Sequence, residues 1–460
     1  MSEGRHIYYE MLDQNGNTTI GRIAPSGRTR MVATSGAGYS YAPPRRTTDG
    51  GVWFAVDTGG GGARADAPNL GLAGLNPAAT RLKVKPTPGY TLDGWPTVAD
   101  RHGRFWAQGN TPGVGIIAVA AGLRAPLVSV QTQLGPVSSQ SDITVNNPMI
   151  LGPRGRVWML GGDGFGAGLR ITSVGPGGVG ADVAPTGLEV GALALTRAHG
   201  RVWTVAADST AALSAFGVTG SGATTTVPTP LFAECKLDAV QPVRGRHARL
   251  WFTGATANCA RSARLLLAEV HLSTQTVDAH RTRLRVLRGL VSTVVPTQNA
   301  AIVAGRSRAG RLAFARVGRH TWVLRTNLRP FVAASQDRYP LIGDRRNGAW
   351  AQAVQHHHLV VVHVTRRAAV AIPTGLTPIA REISLGPHGD VWTQGTANGR
   401  LVLVRVTPRG RVTTFVTSLA PTRVVLAPAA DHHGHLWFRA LDPDTGALVL
   451  VRVRTAAGHR

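Results

Sequence analysis

The sequence predicts an all-β protein, a β-propeller of four-stranded antiparallel blades, and three observations predict it. Glu382 to Ser418 reads as four short strands joined by three turn signals. Tryptophan recurs in the context of the second of these strands, at Trp53, Trp106, Trp158, Trp203, Trp251, Trp350, Trp392 and Trp437, and Tyr8 and Ile302 fill two further places in the series. The nine intervals from Tyr8 to Trp437 average about 48 residues, a period suited to a radial repeat of short strands, and no repeat carries the 3.6-residue apolar spacing of a helical array.

Each strand of the type repeat has its own warrant. Ile383 to Leu385 is a brief apolar run (strand a), and His388-Gly389 turns the chain into Asp390 to Gln394 (strand b), because glycine takes the positive φ that a tight hairpin demands. Asn398-Gly399 then turns into the alternating run Leu401 to Val406 (strand c), and Pro408-Arg409-Gly410 into Val412 to Thr417 (strand d). Ten such repeats exceed the usual four to eight blades. The expectation is one continuous array of nine or ten, the alternative two smaller propellers divided near residues 135–141 or near residue 230.

Along the chain, repeat 1 begins at strand b, so the N-terminal blade is expected to be incomplete, without its strand a. Repeat 2 carries a Gly-rich b-to-c excursion from Asp57 to Pro77. With no helix behind it the GGGG run in that excursion is no phosphate cradle, and GGDGFGAG in repeat 4, which has the look of a dinucleotide fingerprint, joins two strands and so argues against a nucleotide site. Repeat 7 has Ile302 where the others have tryptophan, and repeat 10 ends at strand c. The b-strand tryptophans are read as wedges between neighbouring sheets, with no part in chemistry.

The formal net charge is +26, carried by 47 arginines against three lysines, Lys83, Lys85 and Lys236. Such a field draws anionic partners at low salt. The arginines are spread over all repeats, so weak, salt-sensitive adhesion is expected in place of a specific pocket. The aromatics are mostly spent at the repeat positions, which disfavours specific nucleic-acid binding. No run of 18 apolar residues spans a membrane, and the N-terminal residues hold no signal-peptide apolar segment. The only cysteines, Cys235 and Cys259, fall in the d-to-a and b-to-c loops of repeat 6, which emerge at the same end of a blade; a disulfide is expected between them, and with it an oxidising compartment and export to the envelope or exterior.

Asp-Gly-Gly-Val-Trp-Phe (49 to 54), Gly-His-Leu-Trp-Phe (434 to 438) and Thr-Ile-Gly-Arg-Ile-Ala-Pro-Ser-Gly (19 to 27) resemble the repeat of the virginiamycin B lyase (streptogramin lyase) family. The resemblance implies a propeller. For activity it implies elimination on a cyclic ester antibiotic, with a magnesium ion and catalytic His and Glu near a central channel. In that family a histidine stands eleven residues before the strand-b tryptophan; here those places hold Ala42, Trp95, Asn147, Ala192, Tyr339 and Arg381. No catalytic residue is therefore carried over. Proline follows four of them (Pro43, Pro96, Pro148, Pro340), as suits the first residue of an inner strand.

If a ligand site exists, it is expected where these inner-strand starts converge: Trp95, Asn147, Tyr339 and Arg381, with Glu382 the nearest acid. His102, His199, His388 and His433 precede glycines in a-to-b turns, and His356 to His358 form a b-to-c loop; neither group is assigned a metal. The expected function is a monomeric, non-enzymatic binding or scaffold propeller of the cell envelope, without cofactor, its partner a small molecule, a protein or an anionic envelope polymer. The alternative is a metal-assisted lyase or hydrolase with a relocated site, for which magnesium would be needed.

Overall fold

The computed structural model describes the chain except residues 1, 4–5, 13–17, 25–27, 34–43, 58–68, 79, 112–114, 136–147, 164–167, 190–193, 235–239, 258–262, 288–289, 332–338, 387, 423–427, 431–435 and 454–460. Repeat 9 shows a β-propeller blade at full length. Thr377–Leu385, Val391–Ala397, Arg400–Val406 and Val412–Val416 pair in chain order, each antiparallel to the one before. The turns follow from their residues: Asn398 and Gly399 both take positive φ (52° and 74°), the two-residue geometry that matches strand twist.

The chain divides into two compact halves, residues 1–210 with 214–228, and residues 211–213 with 229–460. The first half holds repeats 1 to 4 and most of repeat 5. Repeat 1 differs from expectation: Ser2–Glu3 pairs with His6–Leu12 as a two-residue strand a, so the sheet has four strands. Two residues are too few to show a periodic pattern. In repeat 2, strand c is Asn69–Leu75, inside the stretch expected to be loop; Leu72 and Leu75 are buried there, and Gly71 and Gly74 stand where strand formers are usual. The second half holds repeats 6 to 10.

Strand b is buried on both faces, so it reads as a continuous apolar run, as in Val52 to Val56. Its tryptophan packs onto the next repeat's sheet: Trp53 lies with Phe105, Ala107 and Val119, and Trp350 with Ile383, Val391 and Val402. Across the strand pair the ring needs a partner on strand c that is small or flat. Gly74 and Gly217 make room; a Cβ on Gly217 would stand 2.7 Å from the Trp203 ring. Elsewhere a cation or imidazole stacks on the ring, with His363 4.0 Å from Trp350 between centroids and the Arg405 guanidinium 5.9 Å over Trp392. Ile302 in repeat 7 is fully buried at the same place in its sheet.

A second repeated device closes the outer corner. The hydroxyls of Thr132, Thr229, Thr282, Thr326, Thr374 and Thr417 donate to the carbonyl near the start of their own strand c at 2.5 to 2.7 Å. Each also accepts from the backbone N–H of a leucine two residues later. This Thr-x-Leu phrase pins strand d as the chain leaves for the next repeat.

Strand a is interrupted, which sequence reading missed. In repeat 9, Pro378 pairs with Gly395 and Ile383 with Thr393, so five steps on one strand face two on the other. Repeat 3 does the same between Asp93 and Val98, opposite Gln108 and Trp106. In repeats 4, 6, 7 and 8 the two pieces are separate: Leu134–Gly135 and Met149–Leu151 both pair with Val157–Asp163, and Arg329–Pro330 and Leu341–Gly343 both pair with Ala349–Gln355.

Candidate functional site

The residues expected to form a channel-mouth site fall in these interruptions. Trp95 lies in the repeat 3 bulge, and Arg381 and Glu382 lie in the repeat 9 bulge; their backbones belong to strands, and their side chains are outside the described residues, as is all of Asn147. Cys235 and Cys259 are also outside them. Tyr339 is described and is fully buried, with its hydroxyl donating to the Gln352 carbonyl. It therefore serves the inner edge of repeat 8 as a packed, hydrogen-bonded core residue and presents no surface to a ligand. His356 and His357 are the two central residues of a tight b-to-c hairpin, both at positive φ (48° and 68°) and exposed.

Around Tyr339 the second half carries a line of buried polar groups. Thr253 Oγ1 donates to the Ser292 carbonyl at 3.0 Å, Thr293 Oγ1 to the Tyr339 carbonyl at 2.6 Å, and Gln352 Nε2 to Thr393 Oγ1 at 2.5 Å. At its start is Glu234, just past the strand Thr224–Phe232 and 3% exposed. Burial pushes its carboxyl up to about 8, against contacts with Thr253 and Ser292 that favour the charged form. Glu234 is thus protonated at neutral pH. The Thr253 hydroxyl proton goes to the Ser292 carbonyl, Ser292 Oγ stands 3.5 Å from Glu234 Oε2, and Glu234 Oε1 has no hydrogen-bond partner among the described residues, surroundings that favour the neutral acid. The lone acid in Leu231-Phe232-Ala233-Glu234 was the sequence signal for this group.

The larger charged feature is the end of the blades that carries the a-to-b and c-to-d turns, in repeats 6 to 8. Two adjoining clefts of about 380 and 580 Å³ open there and share Gln298 and Asn347 on their rims. Arg316, Arg319, Arg346 and Arg366 line the first, with His320 and Trp322; Arg244, Arg246 and Arg345 line the second, with His247. Trp322 is 62% exposed, an aromatic face beside four guanidiniums. The single carboxylate in the lining, Asp344, is spent on structure. It accepts from the N–H groups of Arg346 and Gly348 and from His363, contacts that hold it below the ordinary aspartate range in spite of burial. Burial, and then the nearby Arg366, lower Arg316, which is held in place by a 2.9 Å bond to the Asn347 carbonyl. An anion seated here would relieve that mutual repulsion.

This clustering departs from the even spread expected of the arginines, and it sits at the end opposite to the expected channel mouth. Each contributing turn is short and ordinary in sequence, Arg244-Gly245-Arg246-His247, Gly318-Arg319-His320 and Asp344-Arg345-Arg346-Asn347. Only the antiparallel order of the blades gathers them. Reading which turns share an end, and summing charge by end, would have found the face.

No family model matches the sequence, and no curated protein matches it. Among solved structures the chain is similar to a catalytically inactive variant of virginiamycin B lyase from Staphylococcus aureus with quinupristin, at 13% identity over 67% of this chain and 95% of that one, TM-score 0.33. It is similar to a streptogramin B lyase at 11% identity over 95% and 96%, TM-score 0.34, and to a lectin from Burkholderia pseudomallei at 17% over 69% and 94%, TM-score 0.36. The lyases are the family whose repeat phrases this sequence resembles. The likeness carries no activity and no site residue across to this chain.

Proposed function

We propose that this chain is a non-enzymatic binding propeller of the cell envelope, and that the arginine face of repeats 6 to 8 holds an anionic envelope polymer. The observation that carries the reading is the concentration of seven guanidiniums on two adjoining clefts whose one carboxylate is internally satisfied. Guanidiniums match phosphate and carboxylate in bidentate geometry, and a polymer longer than one cleft gains from engaging both. Export accords with this role, and no helix among the described residues is long and apolar enough to cross a membrane. The face binds and positions, and the reading requires no cofactor.

The test uses inorganic polyphosphate as probe and compares two charge-matched variants. R319E/R346E/R366E alters the face, and R308E/R325E/R400E alters three exposed arginines elsewhere. The face variant is expected to bind at least tenfold more weakly than the control variant at 150 mM salt, with a shallower dependence of log K on log salt. Equal weakening in both would show that the whole-protein field acts and the clefts do not.

A further inference from the structure

We propose that the outer hairpin of repeat 6 is a binding site for a borderline divalent transition ion, zinc in the first instance, held by His271, Asp278 and Glu269. The hairpin joins Arg264–His271 to Thr276–Arg285, and its register places Glu269 directly opposite Asp278. Strand alternation puts His271, two residues beyond Glu269, and His280, two beyond Asp278, on that same face. Two imidazoles and two carboxylates thus share four neighbouring positions of one antiparallel pair.

The donor atoms already converge. One ligand atom each of Glu269, His271 and Asp278 lies within 4.8 Å of the others. His271 Nε2 is 2.9 Å from Asp278 Oδ2, and His280 Nε2 is 3.1 Å from Glu269 Oε2. Around a tetrahedral zinc with bonds of roughly 2.1 Å, donor atoms stand roughly 3.4 Å apart, so small outward rotations suffice to admit the ion. Asp278 can make that movement because its side chain is 63% exposed. Glu269 is 7% exposed, and its Oε1 has no hydrogen-bond donor in good geometry among the described residues, although Arg249 Nη1 approaches to 2.6 Å. A buried and an exposed carboxylate beside two imidazoles are a donor set suited to zinc, cobalt or nickel, whereas magnesium and calcium prefer all-oxygen shells.

The surroundings supply the outer support such sites use. Trp251 stacks on the His280 ring at 5.8 Å between centroids and fixes its plane, and Arg249, 34% exposed, has room to turn toward solvent when the ion takes Glu269. Any proton on His271 Nε2 must leave as the metal arrives, so binding releases protons and weakens in acid. With no ion the same groups form two His–carboxylate contacts and one Arg–Glu pair.

Calorimetric titration of the full chain with ZnCl₂, with Co²⁺ visible absorption as a second readout, tests the assignment. One site with a dissociation constant in the micromolar range or tighter is expected, with d–d bands of a four- or five-coordinate cobalt. H271A and D278N should each weaken it at least tenfold, while H356A/H357A/H358A, which removes the exposed histidine turn, should leave it unchanged. Both H271A and D278N alter partly exposed side chains, so folding is kept and loss of binding is read directly; unchanged circular dichroism checks this. Binding that survives H271A and D278N, or disappears with the histidine turn, or is absent below millimolar zinc, would overturn the proposal.

Discussion

Replacing Glu234 by glutamine should make the second half of the protein more stable, and only above acidic pH. The carboxyl ionises near 4.5 when exposed and at about 8 in the fold. Below the lower value both folded and unfolded chains hold the proton, and burial of the neutral acid costs nothing extra. As pH rises the unfolded chain ionises first and binds fewer protons than the folded one, so stability falls by about 1.4 kcal/mol per pH unit until the folded carboxyl also ionises. The accumulated loss above pH 8 is on the order of 5 kcal/mol. Glutamine keeps the shape and an oxygen that can accept from Ser292, yet has no charge to lose. Urea unfolding followed by tryptophan fluorescence, at half-unit steps from pH 4 to 9, should give coincident midpoints for E234Q and wild type at pH 4. Near pH 8.5 the variant should lead by about 2 M, for a slope near 2.5 kcal/mol/M. A gap that stays constant across this range would mean that Glu234 is ionised in the fold and that its burial has been misjudged.

Three further outcomes are expected. Gly217→Ala forces a Cβ to within 2.7 Å of the Trp203 ring and should cost about 1 to 3 kcal/mol, read as a lowered melting temperature with unchanged polyphosphate affinity. Tyr339→Phe removes the bond to the Gln352 carbonyl and should lower stability by about 1 kcal/mol or more, again without effect on anion binding; a loss of binding would return Tyr339 to a ligand site. Non-reducing mass spectrometry of protein from its native compartment should find Cys235 joined to Cys259, and two free thiols there would remove the argument for export.

Much of the fold was legible because the cues are local. Asn398-Gly399, the alternation of Leu401 to Val406 and the glycine at 410 each act within a few residues, and the structure places strands and turns where they indicate. Strand a was legible only in part. Its two pieces are often two or three residues long, too short for a period of two to show, and what stands between them carries residues such as Trp95, Tyr339 and Glu382 that invite a functional reading. The arginine face was invisible for a different reason: Arg244, Arg316, Arg346 and Arg366 belong to three repeats, and nothing in their immediate sequence distinguishes them from the other arginines. Trp322 broke the tryptophan period and was the one local hint that this side of repeat 7 differs.

The interrupted inner strand also frees these repeats from a parity constraint. In an unbroken strand, an insertion of odd length would turn every following side chain to the opposite face. Here each piece takes its own register from strand b, so the chain between them can change length without disturbing either. The spans already differ, from residues 94–97 and 379–382 to residues 136–148 and 331–340. The inner edge is thus the natural place for this architecture to accept grafted loops, since the pieces on either side keep their own pairing with strand b, and the tryptophan wedges, threonine corners and arginine turns lie outside the span that changes length.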